Sequence, residues 1–328
     1  MNAPLPVPDP ALAAGLDLPV VPEATTLAAA VAATFGSGTA ALLHYGSRAQ
    51  GSGAEPDSAW DFVVMVDDPG AAFHALSRAG ASTLSPTLAR LLHHILPPTV
   101  VASRPPELPG LPLGKCVVLS ERELLRGCSP QAKDHFLLGR LFQDVRLVWV
   151  RDDAARAAID RAVASARACT FDWVRPSLPA SFTASEYLRT ALRVSYAGEV
   201  RPETAGRIET LVNAQSATLL PILGGMLDHL AARGELARAG DVYRDLHVPD
   251  AGARLRRRLY FLRSKVRITM RWPKHVLLYD GWLDYVVRKV ERRSGVRMTL
   301  TPLERRWPLV FLWPRALRYF LTKPRAGA

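Results

Sequence analysis

The chain has 328 residues, 48% hydrophobic and 22% charged, a balance that excludes a disordered or fibrous protein and leaves room for two or three domains around a sizeable core. Its formal charge of +12 is unevenly placed: residues 251–328 carry 20 Lys and Arg against 4 Asp and Glu, a surplus of +16, so the first 250 residues carry 22 against 26 and net −4. Four of the seven tryptophans (Trp272, Trp282, Trp307 and Trp313) share that C-terminal quarter, which predicts an anionic partner there, a lipid surface or a nucleic acid.

Residues 1–24 hold six prolines and little periodicity and are expected to be a disordered lead-in. The first lysine or arginine is Arg48, so neither a secretory signal nor an arginine-bearing presequence is expected. No run approaches the roughly 18 apolar residues of a membrane span. Together these predict a cytoplasmic protein, peripheral on the inner face of the cell membrane. The three cysteines, Cys116, Cys128 and Cys169, lack metal-ligand spacing and read as reduced, buried thiols.

A short helix is expected over residues 26–35, then a strand over 40–44 that ends on Tyr45-Gly46-Ser47. After a polar loop, Asp61 opens a second apolar, β-branched strand over 62–66. Residues 70–79 and 86–96 read as helices, and His93 and His94 as ordinary members of the second. Residues 97–114 read as a proline-rich loop with one short strand in it, and 115–119 as a strand. Ser120 followed by Glu123 predicts a capping box. A helix over 131–142, a strand over 145–150 and a long helix capped by Asp152 and Asp153 complete an α/β unit, taken as residues 25–150 and the start of the next. Residues 181–245 read as helical, broken at Gly198, Pro202, Pro221 and Gly224-Gly225, within a second domain of 151–250.

From 251 onward, apolar stripes alternate with basic clusters. Leu255, Leu259, Leu262 and Val266 form the first stripe, Leu283, Val286, Val287 and Val290 the second, and Trp313, Leu317, Phe320 and Leu321 the third. This pattern predicts an interfacial face for an anionic membrane, and no nucleic-acid motif accompanies it.

The Gly46-Ser47 turn, a thirteen-residue spacer and Asp61 on the neighbouring strand follow the layout of nucleotidyltransferases. Glycine lets backbone N–H groups approach a phosphate, and an aspartate beside them can hold Mg²⁺ against it. Read alone, the stretch fits a plain hairpin equally well. Three further motifs stand in order behind it: Val66-Asp67-Asp68-Pro69 with His74, Leu138-Gly139-Arg140-Leu141, and Ser195-Tyr196-Ala197-Gly198-Glu199-Val200-Arg201. With them, residues 40–201 resemble the mitochondrial-type phosphatidate cytidylyltransferases, the translocator-maintenance CDP-diacylglycerol synthases. The resemblance implies an α/β (α+β) fold in which a nucleotidyltransferase-like mixed-sheet domain precedes a helical, winged-helix-like domain and the basic amphipathic C-terminal region. It implies CTP and phosphatidic acid as substrates, Mg²⁺ as cofactor, and CDP-diacylglycerol and pyrophosphate as products.

Carried over residue by residue, Tyr45, Gly46 and Ser47 would cradle the triphosphate and Asp61 would ligate Mg²⁺. Lys115 and Arg140 would neutralise phosphate charge. Glu199, as catalytic residue and metal ligand, and Arg201 would close the site from the second domain. The chain departs from the wider superfamily at Val63, where a second carboxylate is usual, so further ligands are sought at Asp57, Asp67 or Glu199; Glu199 itself stands where the family usually has aspartate. Two other readings are open: a nucleotidyltransferase with a different acceptor, and a non-catalytic relative that binds membrane or nucleic acid. A homo-oligomer is compatible with all three.

Overall fold

In the first half of the chain, apolar, β-branched runs alternate with alanine-rich segments of helical period, and they form a sheet with helices on both faces. The computed structural model describes residues 9–52, 58–80, 85–103, 113–197, 205–247 and 249–271, together with 273, 274, 278, 283, 287, 291, 299–306 and 311. Among these, the elements of the first half are α1 (Pro22–Phe35), β1 (Thr39–Tyr45), β2 (Trp60–Val66), α2 (Pro69–Arg78), α3 (Pro86–Ile95), β3 (Thr99–Ser103), β4 (Gly114–Ser120), α4 (Glu121–Gly127), α5 (Leu138–Leu141), β5 (Arg146–Val150) and α6 (Asp153–Ala168). The strands form one mixed sheet in the order β3-β4-β2-β1-β5, with β2 and β4 parallel and the other neighbours antiparallel.

All seven residues of β1 are buried, as expected for a sheet covered on both faces. The two-residue period of a strand sends Leu42, Phe62, Val64, Cys116 and Val118 against α1 and α2, where they meet Leu27, Val31, Phe35 and Phe73. Leu43, Val63, Met65, Val117 and Leu119 face the other way, onto Leu124, Leu141, Ile159 and Val163 in the larger core. Local chemistry sets the helix starts. Asp68 accepts from Gly70 N and Ala71 N to begin α2, Ser120 and Glu123 form the expected capping box of α4, and Asp152 caps α6 through Ala155 N.

The second half comprises α7 (Thr170–Val174), β6 (Ser181–Thr183), α8 (Ala184–Ala197), α9 (Ala205–Ala232), β7 (Leu236–Ala239), β8 (Val242–Asp245) and α10 (Ala251–Met270), with a short helix at Pro302–Arg306. Its three strands make a small antiparallel sheet, β6-β8-β7. The protein is thus a mixed α/β fold with one five-stranded mixed sheet and one small antiparallel sheet among the described residues.

Four expectations need correction. Residues 9–24 are ordered: a 3₁₀ turn (Pro10–Ala13) carries Leu12 into the core, Leu16 follows it, and the fully buried Arg167 of α6 donates to Leu12 O (2.6 Å) and Ala14 O (2.7 Å). Burying two leucines, at roughly 1.5–3 kcal/mol each, offsets part of the entropy of holding this proline-rich segment; residues 1–8 lie outside the described residues. The helix expected over 131–142 is reduced to α5, because His135 N donates to Ser264 Oγ on α10 (2.8 Å) and Phe136 N to Asp134 Oδ1, not to intrahelical carbonyls. Residues 181–245 are not all helical: β7 and β8 form a hairpin with Ala239 opposite Val242 and Gly240 in its two-residue loop at φ 64°.

The fourth correction concerns α9, which runs unbroken through Pro221 and Gly224-Gly225 because Leu219, Leu223, Met226 and Leu227 hold one face in the core. By length and mean hydropathy (1.2), Gly206–Ala232 is apolar enough to cross a membrane. Here it buries that apolar face together with Gln215, whose side chain accepts from Asp144 N.

Helix α10 is two-faced. Ser264 and Ile268 point inward, whereas Leu255, Leu259, Leu262, Val266 and Met270 are each between 51% and 61% exposed. Arg254, Arg256, Arg258, Arg263 and Lys265 are exposed around them. Of the second predicted stripe, Leu283 and Val287 are helical and half-buried, while Val286 and Val290 and all of the third lie outside the described residues.

Candidate functional site

At one end of the five-stranded sheet, three adjacent strands place chemistry in a single row. Tyr45 pairs with Asp61 across β1 and β2, and Asp61 pairs with Lys115 across β2 and β4. All three point to the same face of the sheet as Val63 and Val117. Lys115 Nζ lies 3.1 Å from Asp61 Oδ1, and both side chains are partly open to solvent. Gly46 follows directly at φ 84°, and a Cβ there would fall 2.9 Å from Asp61 Oδ2, so bare backbone passes over the carboxylate. The chain then winds tightly, with Gln50 N on Gly46 O and Ser52 N on Ser47 O, which places half-buried Ser47 in the turn.

The turn is held from elsewhere in the chain. Gln50 donates to Gln143 Oε1 (3.1 Å), which also accepts from Gln215 (3.3 Å) and Tyr196 (3.4 Å). Arg207 of α9 donates to Ser52 O and, at 3.3 Å, to Ser52 Oγ. Arg140 of α5 donates to Phe136 O (2.8 Å), stacks 3.9 Å from the Phe136 ring centroid and lies 6.0 Å from that of Tyr45. Gly139 beside it leaves room for Ser195: a Cβ would fall 2.5 Å from Ser195 Oγ, which donates to Gly139 O at 3.2 Å.

Six predicted residues (Tyr45, Gly46, Ser47, Asp61, Lys115 and Arg140) therefore gather at one place, with Ser195 and Tyr196 packed behind them. Glu199, Arg201 and Asp57 lie outside the described residues. Gln50, Gln143, Gln215 and Arg207 were not singled out by sequence; their partners lie 71 to 155 residues away in most cases, and no local pattern marks them.

The electrostatics follow the same map. Burial pushes the Tyr45 phenol above its ordinary pKa, Asp61 adds to this, and Lys115 and Arg140 oppose it. On the opposite sheet face, His44 packs against Trp60 and Phe62, and burial lowers its pKa to about 4. The three cysteines are free and buried, and burial raises every thiol, which fits inert core residues.

As for metal, no group of three or more His, Cys, Asp or Glu side chains could hold an ion among the described residues. Val63 shares the face of Asp61 but is core. Strand β2 continues to Val66, so Asp67 stands six residues beyond Asp61, roughly 20 Å away, and pairs with Arg151 (2.7 Å). Asp67 is thereby removed as a ligand partner of Asp61.

A cleft of about 590 Å³ opens at the other end of β2 and β4, lined by Asp68, Arg90, His93, His94, Ser120 and Glu123 among others. Its carboxylates are committed, Asp68 to the α2 cap and Glu123 to Ser120 and His93. His93 bridges Thr99 Oγ1 (3.0 Å) and Glu123 (3.1 Å), a structural use of both ring nitrogens. Convergent chemistry places the candidate site at the Asp61 end rather than here.

Compared with protein-family models and with curated proteins, the chain matches none.

Proposed function

We propose that the protein is a Mg²⁺-dependent nucleotidyltransferase that joins CTP to phosphatidic acid at an anionic membrane surface, giving CDP-diacylglycerol and pyrophosphate. The observation that carries this reading is the Tyr45–Asp61–Lys115 row beneath Gly46, where a glycine turn, a carboxylate and a cation converge on one partly open spot. The sheet supports a nucleotidyltransferase-like core, and α8 and α9 with the β6–β8 sheet support a winged-helix-like second domain. The motifs that carry the family resemblance support the choice of substrates.

Backbone N–H groups of the turn after Gly46 and the Ser47 hydroxyl would bind the triphosphate. Lys115 would turn from Asp61 to the phosphates, and Arg140 would add a second positive charge. Mg²⁺ is held by one or two carboxylates plus phosphate oxygens, so Asp61 suffices as the described protein ligand, with Glu199 proposed as a second; the ion would supply charge neutralisation. A phosphomonoester dianion is already nucleophilic near neutrality. Its oxygen attacks the α-phosphorus, the bond to the bridging oxygen breaks, and pyrophosphate leaves. The protein's part is positioning and charge stabilisation.

The exposed apolar stripe of α10 would lie in the headgroup region, and each exposed basic residue would contribute roughly 1 kcal/mol on anionic lipid. Purified protein with CTP, Mg²⁺ and phosphatidate liposomes is expected to release pyrophosphate and form CDP-diacylglycerol; no product with any nucleotide would refute the reading. One observation favours a second reading, a nucleotidyltransferase-like binding protein without turnover: Asp61 is the single carboxylate of the described site, and it is already paired with Lys115. That reading expects lipid binding unaltered by Asp61→Asn and no Mg²⁺-dependent nucleotide binding.

A further inference from the structure

Helix α10 does more than present an outer face. Its inner face grips the segment that leads into Arg140. Ser264 Oγ accepts from His135 N at 2.8 Å, and Arg267 Nε reaches Asp134 at 3.1 Å. Arg271, immediately after α10, is 2% exposed and binds Asp134 through both terminal nitrogens, at 3.3 and 2.8 Å; it also donates to Pro97 O at 2.5 Å. Burial opposes charge on Asp134, yet the two arginines hold its carboxyl below the usual range, so the pair stays ionised.

The ring of Phe136 meets two guanidinium groups, with Arg271 Cζ 5.2 Å and Arg140 Cζ 3.9 Å from its centroid. Arg140 also donates to Phe136 O. A displacement of residues 134–136 would therefore move both contacts of Arg140 with Phe136 at once, and Arg140 is the cation set over Tyr45.

We propose that Arg271 is a positioning residue: by clamping Asp134 and one face of Phe136 it fixes Arg140 in the candidate site, and so ties that site to helix α10. The kinetic part of the test rests on the cytidylyltransferase reading, whereas the structural part does not. Arg271→Gln, Arg271→Lys and a control, Arg175→Gln, would be compared with the wild type. The control removes a partly buried ion pair of another arginine, that of Arg175 with Asp245, in place of the one that reaches Asp134.

Amide hydrogen exchange should quicken in residues 136–141 and in the 45–50 turn for Arg271→Gln, return part-way in Arg271→Lys, and stay unchanged there in Arg175→Gln. KM for CTP should rise about tenfold in Arg271→Gln with kcat nearly constant, the scale expected when a supporting contact behind a binding group is lost. Unchanged exchange at 45–50 in Arg271→Gln, or the same change in Arg175→Gln, overturns the proposal. If the wild type turns over no CTP, the reading of function fails, and the exchange result alone decides the positioning role.

Discussion

The two ends of β2 carry carboxylates in opposite circumstances. At the N-terminal end, Asp61 faces one lysine and a glycine turn and is partly open to solvent. At the C-terminal end, Asp67 is held by Arg151 and Asp68 by the backbone of α2. A cleft of about 590 Å³ lies at this committed end, beside His93 and Glu123, which are bonded to each other. What separates the ends is how their carboxylates are partnered: one lysine at Asp61, an arginine fork at Asp67 and a helix cap at Asp68.

The contrast breaks most readily in turnover. Asp61→Asn is expected to lower cytidylyl transfer by about 10²–10³-fold, the scale of losing one preorganised charge, while Asp67→Asn leaves it unchanged. Equal losses at both ends would erase the distinction. In pyrophosphate-release assays the two variants can be run side by side.

Acid stability comes next in size. Unfolded His44 takes a proton near its ordinary pKa of 6.5, whereas the folded, buried ring does so only near 4. As pH falls, the unfolded chain binds the proton first. The stability contribution is complete above pH 6.5 and is lost progressively down to about pH 4, about 3 kcal/mol in all. Urea unfolding across that window should show the decline, and His44→Phe should roughly halve it. His135, whose pKa burial lowers to about 3, adds to the same limb and will remain in the variant.

The glycine turn offers a sharper comparison within the site end itself. Gly46 and Gly51 both have positive φ, at 84° and 61°, but a Cβ meets Asp61 only at Gly46 and open space at Gly51. Both alanine variants should lose about 1–2 kcal/mol of stability, and only Gly46→Ala should also lose turnover. The smallest expected change is in folding of Leu259→Glu with Leu262→Glu on the exposed face of α10. Unfolding free energy should stay within about 0.5 kcal/mol, while flotation with anionic vesicles should fall.

What could be read in the sequence is what is local. The strand before Gly46, the strand after Asp61, the α2 and α3 helices and the Ser120–Glu123 capping box all depend on neighbours within a few residues. Distant residues decide the rest. The segment 131–137 has helical composition, yet Ser264, Arg267 and Arg271 of the α10 region take its polar groups. Leu12 and Ala14 are held by Arg167, over 150 residues away. The β7–β8 hairpin hides in four-residue strands too short to show alternation, with Gly240 as its one turn signal. For the site, the row Tyr45–Asp61–Lys115 was legible as motif residues, but the network of Gln50, Gln143, Gln215 and Arg207 behind it was not.

Calorimetric titration of CTP with Mg²⁺ into the wild type, Asp61→Asn and Asp67→Asn tests the central claim most directly. The account predicts Mg²⁺-dependent binding to the wild type and to Asp67→Asn, and its loss in Asp61→Asn. Binding that survives in Asp61→Asn and disappears in Asp67→Asn would place the nucleotide at the other end of β2 and contradict it.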